Sequence, residues 1–141
     1  GEYEVNWDAV DFIIESRRYG IVQVLASASK NTQIITHAVK VEGYGRLIDL
    51  FDVDVSGLGK TKAEVFQKAM DMVKQLYGRA ECVFVVFEDS LSGIVIARSL
   101  GAKTVYYGEN SKSQGLADYS ISSFKGLDPI GLLKSLGCIS G

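Results

Sequence analysis

The sequence predicts an α/β fold built on an open, mostly parallel sheet, and two observations carry this prediction. Short apolar runs of strand length alternate with amphipathic stretches that have the spacing of helices. Strands and helices that alternate in this way are joined by right-handed βαβ crossovers. Hydrophobic residues make up 47% of the 141 residues, which suits a buried sheet and excludes a disordered chain. We expect one domain over residues 1–141, because no linker or repeat interrupts it.

The composition excludes several classes of partner. The net charge is −2, with 15 basic and 17 acidic residues, and shows no bias toward nucleic acid or a membrane surface. Cys82 and Cys138 lie far apart and belong to no CxxC or Cys/His cluster, so neither a disulfide framework nor a zinc site is expected. No apolar run approaches the ~20 residues of a membrane span, and no signal peptide is expected at the start. We therefore expect a cytoplasmic protein.

The first part of the chain predicts three helices and two strands. Asn6 can cap the first helix, and Gly43 and Gly45 can end the second. The apolar run 21–26 predicts a strand that is covered on both faces. The third helix has the strongest apolar stripe, which we expect to be buried as far as Leu76. In chain order, the predicted elements are helix 7–18, strand 21–26, helix 32–41, strand 51–55 and helix 62–77.

The second part of the chain continues the alternation. The run 82–87 is the most pronounced strand of the sequence. Asp128 can cap a last helix, and Pro129 occupies the first helical position, which proline favours. Between them, the predicted elements are helix 92–100, strand 103–107, a polar loop over 108–116 and a short edge strand over 117–121.

Polar clusters follow three of the predicted strands. They lie at residues 27–31, 57–60 and 88–90. Ligands of open parallel sheets bind beyond the carboxyl ends of the strands, which share one edge of the sheet. We therefore expect the three clusters to converge on one functional site.

The first cluster can bind a phosphate. Ser27 and Ser29 can donate their hydroxyls to phosphate oxygens, and the backbone amides at the start of the next helix add further donors. Lys30 contributes a positive charge and Asn31 an amide donor. The alternative is a Ser/Asn helix cap beside a solvated lysine.

The third cluster can bind a divalent cation. Glu88 and Asp89 form a pair of carboxylates directly after an apolar strand, where charges are costly unless they are paired. Mg²⁺ prefers one or two carboxylates together with waters and phosphate oxygens. The alternative is that Asp89 and Ser90 only cap the following helix.

The second cluster contains Lys60, just before a helix. Its ammonium group can act as a point charge between a phosphate and a carboxylate. The segment is not a P-loop, because Asp54 stands where the first glycine of that motif is required. The alternative is a solvated lysine with no ligand.

Several stretches carry a resemblance to a known family, in the same order and at similar spacing over nearly the whole chain. They are Leu25-Ala26-Ser27-Ala28-Ser29-Lys30-Asn31, Leu50-Phe51-Asp52 leading to Lys60 and Glu64-Val65-Phe66, Val86-Phe87-Glu88-Asp89-Ser90, Gly93-Ile94, Gly101-Ala102, Ala117-Asp118 and Ile121-Ser122-Ser123. In these stretches the chain resembles the haloacid dehalogenase superfamily, and within it the β-phosphoglucomutase-like phosphatases and mutases. The resemblance implies a Rossmann-like three-layer α/β/α core and a hydrolase or mutase that depends on magnesium.

The resemblance also implies roles for individual residues. Ser27, with the Ala28 amide beside it, would hold the phosphoryl group that is transferred. Lys60 would neutralise charge between the attacking carboxylate and that group. Glu88 and Asp89 would hold Mg²⁺.

Three further residues would hold the second, non-transferring phosphate of a sugar phosphate in the mutase-like members. They are Ser29, Lys30 and Asn31. The chain departs from the family at Thr61 and Ala63, which stand where prolines usually follow the lysine. This departure predicts a less rigid loop around the lysine.

The family's reaction requires an aspartate nucleophile in an Asp-x-Asp motif, with the second aspartate as general acid and base. Asp52 and Asp54 have this spacing, but we interpret them as a decoy. They follow Ser27 in the chain, whereas the nucleophile strand comes first in the family, and Leu50-Phe51-Asp52 fits the family's third strand. We expect the nucleophile strand and the cap domain to be absent from these 141 residues. The alternative is a permuted enzyme in which Asp52 attacks.

The function expected from the resemblance is Mg²⁺-dependent phosphoryl transfer on small phosphorylated metabolites such as sugar phosphates, with no activity of this chain alone. The alternative is a non-catalytic phosphate- or metabolite-binding module, or an assembly module. Without the first strand, two apolar strands would have unpaired edges. Either they pair directly, or a second chain or copy inserts a strand, or the protein is longer.

Overall fold

The computed structural model describes residues 4–27, 29–78 and 82–140, apart from the side chains of Lys30, Asn31 and Gln33. The chain divides into two compact units, Gly1–Arg79 and Ala80–Gly141. The expectation that both belong to one domain stays a prediction.

Within residues 4–27 and 29–78, the first unit contains three helices, four short strands and a 3₁₀ turn. In chain order they are α1 (Trp7–Arg18), β1 (Val24–Leu25), α2 (Lys30–Ala38), β2 (Lys40–Val41), β3 (Gly45–Arg46), the 3₁₀ turn Leu47–Leu50, β4 (Val53–Asp54) and α3 (Lys62–Tyr77). The predicted cap of α1 is confirmed, because the side-chain oxygen of Asn6 accepts a hydrogen bond from the Ala9 amide at 3.0 Å.

The strands β1 and β4 form a parallel pair with Val24 opposite Val53 and Leu25 opposite Asp54. The prediction that 21–26 is a strand covered on both faces is wrong in two respects. The ladder is two residues long, and residues 21–27 are all half-buried. In the part of this unit that the structure describes, β4 is the one strand that pairs with β1.

The region of Gly43 and Gly45 differs from the prediction of a helix over 32–41. The helix α2 ends at Ala38, and β2 pairs with β3 in an antiparallel hairpin. The two glycines have φ angles of +82° and +97°, a conformation that costs glycine little and lets the chain reverse within the turn. The prediction that these glycines end the helix is therefore wrong, because they lie at the reversal of a hairpin that follows it.

One apolar cluster of the first unit lies around α1, β2 and the 3₁₀ turn. Val10, Val41 and Leu50 are buried there. The stripe of α3 is buried from Val65 to Val73, as predicted. Leu76 was expected to continue the stripe, but it is 61% exposed because it lies in the last turn, beyond the buried part of the helix.

Over residues 82–140, the second unit contains a three-stranded parallel sheet and three helices. In chain order they are β5 (Val85–Glu88), α4 (Leu91–Ser99), β6 (Lys103–Tyr107), α5 (Ser111–Leu116), β7 (Tyr119–Ile121) and α6 (Pro129–Ser135). The strand order is β5-β6-β7, so β7 is an edge strand, as predicted. In the described residues β5 has β6 as its one partner, and all four of its residues are half-buried. The caps predicted for the last helix are confirmed, since Asp128 accepts from the Gly131 amide at 2.9 Å.

The prediction of a loop over 108–116 is wrong, because α5 occupies most of this segment. The Asn110 side chain caps the helix by accepting from the Ser113 amide at 3.0 Å, and the Asn110 amide donates to the Tyr106 hydroxyl at 3.0 Å. The helix buries little apart from Ser113, so it has no apolar periodicity to reveal it. Across the described residues, no helix has the length and apolar character needed to span a membrane.

Candidate functional site

Ser27 lies just beyond the carboxyl end of β1, where hydrogen bonds hold it on several sides. Its hydroxyl lies 2.7 Å from the Thr32 hydroxyl and accepts a bond from the Ser29 amide at 3.1 Å. Its amide donates to the Ser56 hydroxyl at 3.4 Å, and its carbonyl accepts from the Gly57 amide at 3.2 Å. The first two of the three predicted clusters therefore meet at one edge of the β1–β4 pair.

The helix α2 begins at Lys30, three residues after Ser27. The amides at a helix start and the positive end of its dipole favour an anion at this place. Ala28 and the side chains of Lys30 and Asn31 lie outside the described residues, so the roles that the resemblance implies for them stay predictions.

Thr32 and Ser56 contact Ser27 and were missed from the sequence. Ser56 is buried and lies two residues after the end of β4, directly after the strand predicted over 51–55, so its position at the carboxyl end of that strand was a usable signal. Thr32 carried no such signal, because a hydroxyl in the first turn of a helix is ordinary.

Lys60 lies in the loop between β4 and α3, and its side chain is exposed. Its amide donates to Oε2 of Glu64 at 2.9 Å. Thr61 caps α3, with its hydroxyl accepting from the Glu64 amide at 3.2 Å. The loop and the start of α3 form a shallow depression of about 460 Å³, lined by Gly57, Leu58, Gly59, Lys60, Glu64 and Lys68.

Glu88 and Asp89 lie in the second unit, at the carboxyl end of β5. Glu88 is half-buried and Asp89 is exposed. The Glu88 carboxylate packs over the first turn of α4, where a Cβ added to Gly93 would lie 2.2 Å from its carboxyl carbon. Ser90 caps α4 by accepting from the Gly93 amide at 3.1 Å, so the capping interpretation is confirmed for Ser90.

This carboxylate pair fits a magnesium ion by its chemistry. No group of three or more His, Cys, Asp or Glu side chains suited to a metal occurs within residues 4–27, 29–78 and 82–140. Mg²⁺ needs no such group, since one or two carboxylates suffice when waters and phosphate oxygens complete the shell. Glu88 and Asp89 belong to a different unit from Ser27 and Lys60, so the convergence of all three clusters stays a prediction.

Asp52 and Asp54 have contacts that give both a structural role. Asp52 precedes β4, at the amino end of the strand, and accepts from the Gln23 amide at 2.7 Å while its other oxygen pairs with Arg17 at 3.2 Å. Asp54 accepts from the Ser56 amide at 2.9 Å. These contacts support the decoy interpretation, which stays a prediction.

Replacing Asp52 by asparagine is expected to lower the free energy of unfolding by at most about 1 kcal/mol and to leave phosphate affinity unchanged. The half-exposed ion pair with Arg17 is lost, and such pairs contribute little. Urea unfolding and a titration with inorganic phosphate measure the two quantities. Asp49→Asn, which removes the exposed pair with Arg46, is the matched control. If the unmodified chain turned over a phosphomonoester and Asp52→Asn abolished that turnover with the fold intact, Asp52 would instead be the nucleophile.

Comparison with known proteins gives matches among solved structures. A scan against family models finds no match, and neither does a search of curated proteins. An archaeal β-phosphoglucomutase from the hyperthermophilic Pyrococcus sp. strain ST 04 is 40% identical, with a TM-score of 0.87, over 99% of this chain and 60% of that chain. A β-phosphoglucomutase from Clostridium difficile is 21% identical, with a TM-score of 0.70, over 92% of this chain and 55% of that one.

A third solved structure is CbbY from Rhodobacter sphaeroides in complex with phosphate, which is 24% identical with a TM-score of 0.67, over 90% of this chain and 57% of that one. These likenesses confirm the predicted fold class, a Rossmann-like three-layer α/β/α fold with mostly parallel strands. The chain spans 60% or less of the length of each of these three proteins.

Proposed function

We propose that this chain, which belongs to the haloacid dehalogenase superfamily, forms part of a Mg²⁺-dependent phosphomutase or phosphatase. Its substrates would be small phosphorylated metabolites such as sugar phosphates. The support from similarity is the 40% identity to an archaeal β-phosphoglucomutase over 99% of this chain. A cytoplasmic location is part of the same proposal.

The observation that carries the proposal is the setting of Ser27. The hydroxyl lies at the carboxyl edge of a parallel strand pair, beside the start of a helix, and already accepts a backbone hydrogen bond. In this role the Ser27 hydroxyl donates a hydrogen bond to an oxygen of the phosphoryl group. Lys60 compensates the negative charge that the group carries, since phosphoryl transfer depends mainly on positioning and charge neutralisation. Ala28 would add its amide beside the Ser27 hydroxyl.

The remaining residues of the first cluster would set the substrate class. Ser29, Lys30 and Asn31 would bind a second phosphate, as the resemblance implies for mutases. In the second unit, Glu88 and Asp89 would hold Mg²⁺, which when bound neutralises charge on phosphate oxygens and fixes their orientation.

We further propose that these 141 residues alone have no catalytic activity. The reaction needs an attacking aspartate, and Asp52 and Asp54 are both engaged in structural contacts. We therefore expect this chain to bind phosphate without turning over a phosphomonoester.

The test is a titration of the chain with inorganic phosphate. Binding is measured from the NMR spectra of the isotope-labelled protein. Ser27→Ala is expected to weaken phosphate binding about tenfold or more, because a hydrogen bond to a charged group is lost. Ser99→Ala is the matched control, since the Ser99 hydroxyl donates to a carbonyl within α4. A panel of phosphomonoesters assayed with Mg²⁺ is expected to show no turnover above background.

Two results would contradict the proposal. Equal phosphate affinity of Ser27→Ala and the unmodified chain would remove Ser27 from the site. Turnover that depends on Glu88 and Asp89, with no partner present, would show that the nucleophile lies within the 141 residues of this chain.

The alternative is a non-catalytic binding or assembly module. The observation that favours it is the half-buried state of β1 and β5, each with a strand partner along one edge in the part of the chain that the structure describes. Such edges can accept a strand from another chain or a second copy. A solution mass that is a multiple of 15.3 kDa, with phosphate binding and no turnover under any condition, would favour this alternative.

A further inference from the structure

We propose that Glu64 and Lys68 are positioning residues for Lys60, which they serve by fixing the loop that carries it. This loop comprises residues 57–61, between β4 and α3. The inference rests on the proposed function, because Lys60 matters only if its ammonium group meets a phosphate.

Two side chains of α3 are bonded to the backbone of this loop. Oε2 of Glu64 accepts from the Lys60 amide at 2.9 Å, and Nζ of Lys68 donates to the Leu58 carbonyl. Glu64 and Lys68 are four residues apart, so they lie one above the other on the same face of the helix. The loop is thus held on both sides of Gly59.

The backbone of the loop also lies directly against the helix. A Cβ added to Gly59 would lie 2.9 Å from Cβ of Glu64 and 3.0 Å from the amide nitrogen of Val65. Val65 is fully buried, so the first turn of α3 cannot move away. The two side-chain bonds act on a backbone that has no space to shift toward the helix.

These contacts bear on the prediction that the loop around Lys60 is less rigid than in the family, because they restrain the loop in another way. Thr61 and Ala63 lack the restricted φ angle that proline would impose. The structure supplies side-chain hydrogen bonds from α3 and the Thr61 cap in place of that restriction. Lysine is long and flexible, so the placement of its charge depends on how well its backbone is held.

The experiment compares variants that remove each bond with variants that keep it. Glu64→Ala and Lys68→Met remove the bonds, whereas Glu64→Gln and Lys68→Arg retain an acceptor and a donor. Hydrogen exchange at the Lys60 amide is expected to become about tenfold faster in Glu64→Ala, and to recover in Glu64→Gln. Affinity for inorganic phosphate is expected to fall at least threefold in both bond-removing variants and to recover in both conservative ones.

Lys60→Met removes the ammonium group itself and so gives the largest loss of phosphate affinity that misplacing Lys60 could cause. Gln67→Ala, on the exposed part of α3, is the matched control. Circular dichroism and thermal unfolding verify that each variant folds. If Lys60→Met weakens phosphate binding while Glu64→Ala and Lys68→Met do not, the positioning inference fails and the proposed function stands. If Lys60→Met binds phosphate as tightly as the unmodified chain, the proposed role of Lys60 fails, and the positioning inference fails with it.

Discussion

Replacing Gly93 by alanine is expected to weaken Mg²⁺ binding about 10- to 100-fold while α4 remains folded. The new Cβ would lie 2.2 Å from the carboxyl carbon and one carboxylate oxygen of Glu88. No real contact is that short, so one of the two groups must move. The carboxylate is the end of a flexible side chain, whereas Gly93 is held within α4, so Glu88 swings away.

Helix propensity acts in the opposite direction and separates the site from the fold. Alanine favours a helix more than glycine does, by about 0.5–1 kcal/mol at interior positions, and Gly93 lies in the first turn of α4, so the unfolding temperature is expected to stay constant or rise slightly. If Gly93 had no role at a metal site, its replacement would not weaken Mg²⁺ binding while the unfolding temperature stays constant or rises.

Mg²⁺ affinity is measured by an NMR titration that monitors the amide resonances of Glu88 and Asp89. Thermal unfolding gives the stability of the same variant. Gly115→Ala in α5 is the matched control, because a Cβ added there has no heavy atom within 4 Å. Unchanged Mg²⁺ affinity in Gly93→Ala would exclude Glu88 as a ligand.

Replacing Asp118 by alanine is expected to lower the free energy of unfolding by about 2–4 kcal/mol, because buried donors lose their acceptor. Thr104 is fully buried, and its amide and hydroxyl donate to Oδ2 of Asp118 at 2.8 and 3.1 Å. The Asp118 amide donates back to the Thr104 hydroxyl at 3.1 Å, and Arg98 pairs with Oδ1 at 3.1 Å. Removal of the carboxylate takes the acceptor away from two donors of the fully buried Thr104.

The same contacts predict a pH dependence. Burial opposes ionisation of Asp118, but the hydrogen bonds from Thr104 and the charges of Arg98 and Lys103 together hold the pKa of its carboxyl below the usual 3.8. A carboxyl whose pKa is lower in the folded state stabilises the fold above the unfolded-state pKa. This stabilisation is lost as the pH falls below about 4 and passes through the folded-state pKa.

Urea unfolding between about pH 2 and pH 7 measures both effects. Asp118→Asn keeps an acceptor oxygen and loses the charge, so its stability is expected to fall less steeply with acid than that of the unmodified chain. Asp71→Asn, on the exposed part of α3, is the control and is expected to show the slope of the unmodified chain. Equal slopes for Asp118→Asn and the unmodified chain would show that the Asp118 charge adds no stability.

Elements with strong local signals could be predicted with their bounds. The helix α1 begins after Asn6, and α6 begins at Pro129 after Asp128, because caps and proline act within one turn of the chain. The strand β6 matches the prediction residue for residue. Periodicity and capping are properties of neighbouring residues, so the sequence carries them in full.

Short elements that depend on their packed surroundings were missed. The helix α5 has six residues and no apolar face, and Arg98 of α4 reaches its end by donating to the Leu116 carbonyl at 2.9 Å. The antiparallel pair of β2 and β3 depends on a chain reversal at two glycines. Such elements are stable only in their packed setting, because their own residues provide too little interaction to form them.

The sequence by itself determined the chemical groups of the candidate site and their places at strand ends, at Ser27, Lys60 and Glu88. Only the tertiary structure decided what holds each group: Thr32 and Ser56 beside Ser27, Glu64 on the Lys60 backbone, and the space above Gly93 that Glu88 fills. The physical reason is that a strand end follows from local apolar patterning. A hydrogen-bond partner across a sheet or on a neighbouring helix depends instead on how those elements pack.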